Sequence, residues 1–173
     1  MSEPLELRLI VAVDRAWGIG RNNELLFRLS ADLRRFKALT MGHVLLMGRH
    51  TFDSLPGPLP GREHVVLSRD PAFAPAGVTV CPSAEQALTR ARELAGARGA
   101  QIFVIGGARV YAALLNTCGS ALVTKIDALA EGADAFFPDL DARPGWRCAV
   151  RSGWLEEKGI RFRYCRYERC GAG

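Results

Sequence analysis

A carboxylate on an apolar face needs a partner, and residues 25–37, Leu-Leu-Phe-Arg-Leu-Ser-Ala-Asp-Leu-Arg-Arg-Phe-Lys, place one there. Leu29, Leu33, Phe36 and Leu39 recur at three- and four-residue steps, the spacing of one apolar stripe on a short helix. Asp32 falls on that stripe, whereas Arg34, Lys37 and Ala38 point elsewhere. An ionised carboxylate buried alone costs several kcal/mol, so Asp32 should be protonated or should meet a hydrogen-bonding ligand. Ser30 is the expected N-cap. A second reading stays open: an Asp in the first helical turn can bond the free backbone amides there, favoured by the helix dipole.

Cations and glycines gather just past the ends of apolar runs. Val44-Leu45-Leu46-Met47 stops at Gly48-Arg49-His50-Thr51, and a strand passing through glycine into a helix start with Arg and His beside it suits a phosphate. The run 64–67 stops at Ser68-Arg69, and the Pro- and Gly-rich loop 56–62 ends in Arg62, placed to meet an anion. Ile102-Phe103-Val104-Ile105 passes into Gly106-Gly107-Ala108-Arg109-Val110-Tyr111, where paired glycines let the backbone approach a ligand or simply make a tight turn. The G-x-G-x-x-G dinucleotide fingerprint is absent. Thr124 is a hydroxyl inside the apolar run 121–126, by ordinary strand propensity or for a purpose.

Positioning these groups requires a frame of strands and helices. Residues 7–13, apolar apart from Arg8, read as a central strand covered on both faces. Residues 14–24 read as a glycine-rich loop, a lid or a plain surface connection, with Trp17 and Ile19 as its large apolar groups. Further strands are expected at 44–47, 64–67, 78–80, 102–105 and 121–126, and Ser83-Ala84-Glu85-Gln86 is a capping box opening a scaffold helix to about Ala97. Residues 132–138 read as loop. Residues 146–155 and 160–169 alternate about Lys158-Gly159, an antiparallel hairpin closing the sheet edge. The sum is a single-domain α/β fold spanning 1–173, a predominantly parallel central sheet flanked by helices, with a C-terminal antiparallel hairpin and a ligand cleft along the strands' carboxyl ends.

With 49% apolar residues and a mean hydropathy of +0.04, a globular, cytoplasmic protein is expected. Met-Ser-Glu-Pro carries no signal region, and no apolar run is long enough to span a membrane. Cys81, Cys118, Cys148, Cys165 and Cys170 are an odd, scattered set without C-x-x-C, so neither a disulfide framework nor a metal site is indicated. The net charge of +5 is spread along the chain with no nucleic-acid module, and it also suits a polyanionic small ligand.

These motifs, in this order, resemble the dihydrofolate reductase family. The resemblance rests on Ile10-Val11-Ala12-Val13, Trp17-Gly18-Ile19-Gly20, Ala31-Asp32-Leu33 with Phe36-Lys37, Met47-Gly48-Arg49-His50-Thr51-Phe52, Leu59-Pro60-Gly61-Arg62, Val65-Val66-Leu67-Ser68-Arg69, Ile105-Gly106-Gly107-Ala108-Arg109-Val110-Tyr111 and Phe137-Pro138. It implies reduction of dihydrofolate to tetrahydrofolate, in one-carbon metabolism, by hydride transfer from nicotinamide C4 of NADPH to pterin C6 with water-mediated protonation at N5. By that resemblance Asp32 is the catalytic acid residue, bonding the pterin's amino group and ring nitrogen, and Thr124 bonds its carboxylate. Ile10, Leu33, Phe36, Leu55, Leu59, Ile105 and Tyr111 would line the folate pocket, and Arg62 would grip the glutamate tail's α-carboxylate. Arg49, His50, Ser68 and Arg69 would hold the adenosine 2′-phosphate, favouring NADPH over NADH. Gly106 and Gly107, joined by a non-proline cis peptide, would face the cofactor, with Ala12, Ile19, Gly20, Gly48, Thr51, Leu67, Ala108, Arg109 and Val110 completing its site. Antifolates would share the substrate pocket, and a monomer without nucleic-acid or membrane partners is implied.

The sequence departs from the family pattern beside the acid, with Leu26-Phe27 for the common Pro-Trp and Ser30 for a proline. Phe27 has no N–H to hold a water near the carboxylate, so a rearranged water network is expected there. Other readings are the related reductase of the riboflavin pathway, against which the Asp32 helix and Arg62 argue, and a noncatalytic NADPH-binding protein.

Overall fold

Burial alternates along residues 7–13, with Leu7, Leu9, Val11 and Val13 on one side and Ile10 and Ala12 half-buried on the other, so this strand carries apolar groups to both faces of a sheet. The computed structural model describes residues 5–170, and the reading made of the first four residues lies outside them. The elements in order are β1 (Leu7–Val13), β2 (Gly18–Arg21), β3 (Glu24–Leu25), α1 (Ser30–Thr40), β4 (Val44–Gly48), α2 (Arg49–Ser54), β5 (Glu63–Leu67) and β6 (Thr79–Cys81), followed by α3 (Ala84–Arg98), β7 (Ile102–Gly106), α4 (Ala108–Leu114), β8 (Ser120–Ile126), β9 (Ala135–Phe136), β10 (Trp146–Arg151), β11 (Leu155–Glu157) and β12 (Ile160–Arg169).

The main sheet runs β10-β12-β8-β1-β7-β4-β5-β6, and β11 pairs with β12. From β8 to β6 every neighbouring pair is parallel, while β12 is antiparallel to β8, β10 and β11. One apolar cluster joins Leu9, Val11, Leu46 and Val104 to Ala87, Ala91 and Ala95 of α3 and Val110 and Leu114 of α4. On the opposite face Leu45, Met47, Val66 and Phe103 form a second cluster with Phe52 of α2. The mostly parallel α/β architecture expected from the sequence is the one observed.

Three local expectations need correction. Ser30 is the first residue of α1, not its cap; Leu29 occupies the cap position and offers no side-chain acceptor. The 14–24 segment is not irregular throughout, because β2 and β3 pair with each other and β2 pairs with β9, which also places a short strand inside the expected 132–138 loop. The first arm of the terminal hairpin is broken into β10 and β11, with an irregular register between Cys148 and Val150. The hairpin closes the sheet beyond β8 as expected, with β12 beside β8 and β10 outermost.

Candidate active site

Asp32 stands in the first turn of α1, half-buried, with its Oδ1 accepting a 2.5 Å hydrogen bond from Thr124 Oγ1. Thr124 is buried on β8, opposite Ala12 of β1, so one hydroxyl in an apolar strand is aimed at one carboxylate. Burial pushes the Asp32 carboxyl above its ordinary value, while the Thr124 hydrogen bond and the Arg35 guanidinium pull the other way. Arg35 in turn lies over the Tyr164 ring at 3.9 Å, so the surroundings of the acid draw on α1, β8 and β12 together.

Beside this pair Ile10, Phe36, Leu55, Leu59 and Ile105 are all half-buried against the cluster of Leu45, Met47, Phe52 and Phe103. They come from four segments of the chain, β1, α1, the loop after α2 and β7, and pack against one apolar cluster. Leu33 differs, being 43% exposed and outside that cluster. Arg62 is half-buried at the end of the loop that carries Leu59, its Nη1 donating to Thr40 Oγ1 at 3.3 Å and its Nε to the Pro60 carbonyl at 3.2 Å. Tyr111 is buried and its hydroxyl donates to the Ile10 carbonyl at 2.6 Å, so its polar end supports β1 and is not free for a ligand.

The carboxyl ends of β7, β4 and β5 lie side by side, with Met47 paired to Gly106 and Gly48 to Leu67. Gly106 and Gly107 are joined by a cis peptide bond. A Cβ at Gly106 would lie 3.3 Å from the Tyr111 ring and 3.4 Å from Thr51 Oγ1, and one at Gly48 would lie 3.2 Å from Val110 Cγ2. These glycines leave a cradle that larger residues would fill. Ala108 is half-buried over it and Val110 lies beneath it, while Arg109 points to solvent. Ser68, Arg69 and His50 stand at its rim, Arg69 and His50 exposed. Arg49 is already engaged, its Nη1 2.9 Å from Asp70, its Nε 3.5 Å from Asp53, and its guanidinium 4.3 Å over the Phe73 ring.

The 14–24 segment is held at its stem and at its tip. Buried Asp14 accepts from the Ala16, Gly18 and Ala130 amides at 2.9, 2.8 and 3.1 Å, and Trp17, in a left-handed conformation with φ 62°, stacks on Phe137 at 6.2 Å. At the tip Asn23 Nδ2 donates to the His50 carbonyl at 2.8 Å, which ties the segment to the start of α2, and Ile19 packs against the cluster that contains Val110 and Tyr111. Leu26 and Phe27 line a neighbouring crevice of about 300 Å³ with Arg21, Glu24 and Leu129, and Asp32 is not among its walls.

Two supporting residues left no mark in the sequence, Asp14 and His64, because their partners are backbone amides that only the fold brings near. His64, fully buried, accepts from the Leu59 amide through Nε2 at 2.9 Å and so holds the loop that carries Leu55, Leu59 and Arg62. Burial first, and then nearby Arg62, hold its pKa below the ordinary histidine value. The unfolded chain therefore takes up a proton as pH falls through about 6.5 while the folded protein resists it. The stability contributed by neutral His64 is present above that pH and lost below it. The denaturant midpoint of the parent should fall more between about pH 7.5 and 5.5 than that of His64→Gln, and parallel falls in both would remove His64 as the source.

Among known proteins, the sequence model of the family described as Dihydrofolate reductase matches residues 6–169. The chain is 39% identical over 156 residues to a dihydrofolate reductase of Mycobacterium tuberculosis, covering 87% of this chain and 90% of that protein. It is 37% identical over 167 residues to a dihydrofolate reductase of Neisseria meningitidis, with 95% and 99% covered, and 40% identical over 146 residues to dihydrofolate reductase type 3 of Salmonella typhimurium, with 84% and 86% covered. A match that runs the length of the sheet, from β1 to β12, makes this chain a member of the dihydrofolate reductase family of oxidoreductases.

Proposed function

We propose that this protein reduces dihydrofolate to tetrahydrofolate with NADPH as the reductant. The observation that carries the reading is the Asp32–Thr124 pair at 2.5 Å, set beside the apolar groups Ile10, Phe36, Leu55, Leu59 and Ile105. A carboxylate bonded on one side by a hydroxyl keeps its other oxygen for a ligand with two donors, such as the amino group and ring nitrogen of a pterin. Ile10, Phe36, Leu55, Leu59 and Ile105 would enclose the ring and the benzoyl group that follows, with Leu33 at the entrance. Arg62 would take the α-carboxylate of the glutamate tail.

The glycine cradle fits a cofactor laid close against the backbone, and the cations at its rim fit a phosphorylated one. Gly48, Gly106, Gly107 and Ala108 would face NADPH, with Ala12, Ile19, Gly20, Thr51 and Leu67 around it and Val110 behind. Arg49, His50, Ser68 and Arg69 would hold the 2′-phosphate, Arg49 exchanging Asp70 for the ligand, and Arg109 lies beyond them on the exposed side of α4. When bound, NADPH supplies a hydride for pterin C6. Asp32 would fix the ring's orientation and favour a proton at N5 electrostatically, the proton arriving through water because the carboxylate lies on the far side of the ring. The β2–β3 segment would cover the reacting atoms and limit access of bulk water. Soluble one-carbon metabolism is the setting this chemistry serves, and antifolates would compete for the Asp32 pocket.

Loss of NADPH absorbance on mixing the purified protein with dihydrofolate tests the reading directly, and cofactor binding with no turnover would refute it. Arg62→Leu should raise KM for dihydrofolate about ten- to a hundredfold with kcat little changed, as expected for a charge-assisted contact made equally in ground and transition states. A pterin substrate without the glutamate tail should not distinguish the two proteins. Equal losses on both substrates would place Arg62 elsewhere in the mechanism.

A further inference from the structure

The first amides of any α-helix lack partners within the helix. In α1 the cap residue Leu29 is extended (φ −101°, ψ 116°) and supplies no side-chain acceptor. The acceptor comes from far along the chain. Glu157, the last residue of β11, takes the Ser30 amide on Oε2 at 2.6 Å and the Ala31 amide on Oε1 at 3.0 Å. Ile160, which pairs with Glu157 across the turn, packs with Leu29, Ala31 and Phe27 in one apolar cluster, so the hairpin end is packed against the helix start.

The amides that Glu157 occupies belong to the two residues immediately before Asp32. An acidic side chain at the third helical position is placed to fold back onto such amides when they are free. We infer that Glu157 is a positioning residue for Asp32: by filling the first-turn amides of α1 it leaves the Asp32 carboxylate to Thr124 and to the substrate. The inference rests on the role proposed above for Asp32. The charged and titratable groups around the pair are Arg35 on α1 and Tyr164 on β12 beside Asp32, with Arg34 on α1 and Lys158 in the turn beside Glu157. The Ala31 and Ser30 amides hold the Glu157 carboxyl below its ordinary value, so it stays ionised throughout the neutral range.

Glu157→Ala should free both amides and let Asp32 turn towards them. KM for dihydrofolate should then rise about tenfold with a smaller change in kcat. The acid limb of the kcat/KM profile should move to lower pH, because amides that bond a carboxylate favour its charged form. Ser30→Pro removes one of the two amides, and the fold accepts it: proline suits the first helical position, and the preceding Leu29 is already extended. The double variant Glu157→Ala/Ser30→Pro should therefore regain part of the lost KM and shift the acid limb back. Glu157→Gln, which keeps one acceptor oxygen, should fall between parent and Glu157→Ala, and carries the test if the alanine variant folds poorly. Parental KM and pH profile in Glu157→Ala, or a double variant as impaired as the single, would overturn the inference. Asp32→Asn measured in the same series separates the two proposals: normal turnover there removes the role of Asp32 itself, whereas an inactive Asp32→Asn beside an unaffected Glu157→Ala removes only that of Glu157.

Discussion

Asp32→Asn is expected to lower kcat/KM for dihydrofolate at neutral pH by roughly a hundred- to a thousandfold, the effect of truncating one partner of a buried, charged hydrogen-bonded contact, about 3–4 kcal/mol. Asparagine can still accept from Thr124, so the frame of α1 and β8 should survive the change. What would be lost, on the role proposed for Asp32, is the negative charge that orients the pterin and favours its protonation. The same substitution should leave the free protein as stable or more stable near pH 7. The Asp32 carboxyl titrates above its ordinary value because burial opposes its charge. Its favourable contribution to folding is thus complete below the ordinary carboxylate range and disappears as pH rises through the raised value, leaving a buried charge as a cost at neutrality. Thermal unfolding and turnover measured on one preparation check both halves. An asparagine variant that is both destabilised and active would contradict the assignment twice.

Gly106→Ala should disable the cofactor side of the cleft as thoroughly. Gly106 has φ 124°, where an L side chain is strained by about 1–3 kcal/mol, and its Cβ would press on the Tyr111 ring at 3.3 Å and Thr51 Oγ1 at 3.4 Å. Tyr111 has little room to yield, since it is buried, bonded to the Ile10 carbonyl, and packed edge-on to Phe137 with ring centroids 4.9 Å apart. The expected result is a loss of about 2–4 kcal/mol in stability and of at least roughly tenfold in NADPH affinity. Gly153→Ala is the control, because a Cβ there meets nothing within 4 Å, and its effect should stay within about 0.5 kcal/mol. Similar unfolding midpoints and NADPH titrations for the two variants would show that the cradle is not shaped as described.

The features that sequence reasoning found share a property: each is a conflict visible within a few residues. A carboxylate on a leucine stripe, a hydroxyl in an apolar strand and paired glycines at a strand's end all stand out locally. The Ser83 cap is also local, its Oγ accepting from the Gln86 amide at 3.1 Å as the capping box predicts. Ser30 is the same residue type at the start of a similar helix, yet it stands one position inside α1 and the acceptor there is Glu157, which no window around residue 30 contains. Strands β2, β3 and β9 run from two to four residues and are too short to show a period. Asp14 and His64 bond backbone amides, so neither has a partner residue whose identity could be recognised. The hairpin about Lys158-Gly159 was legible from alternation and turn chemistry, with positive φ at both turn residues. Its insertion beside β8 was not, because pairing between distant strands is settled by the packing of the whole sheet.

That insertion sets the order in which the protein can be built. β8 exposes one edge until residues 162–168 pair along its full length, from Phe162 opposite Ile126 to Glu168 opposite Ser120. During synthesis on the ribosome the parallel half of the sheet can be complete while Thr124 still sits on an open border strand, without Tyr164 and Arg35 stacked beside it. A nascent chain halted short of residue 160 would therefore present the β8 edge unpaired, open to chaperones or to other nascent chains.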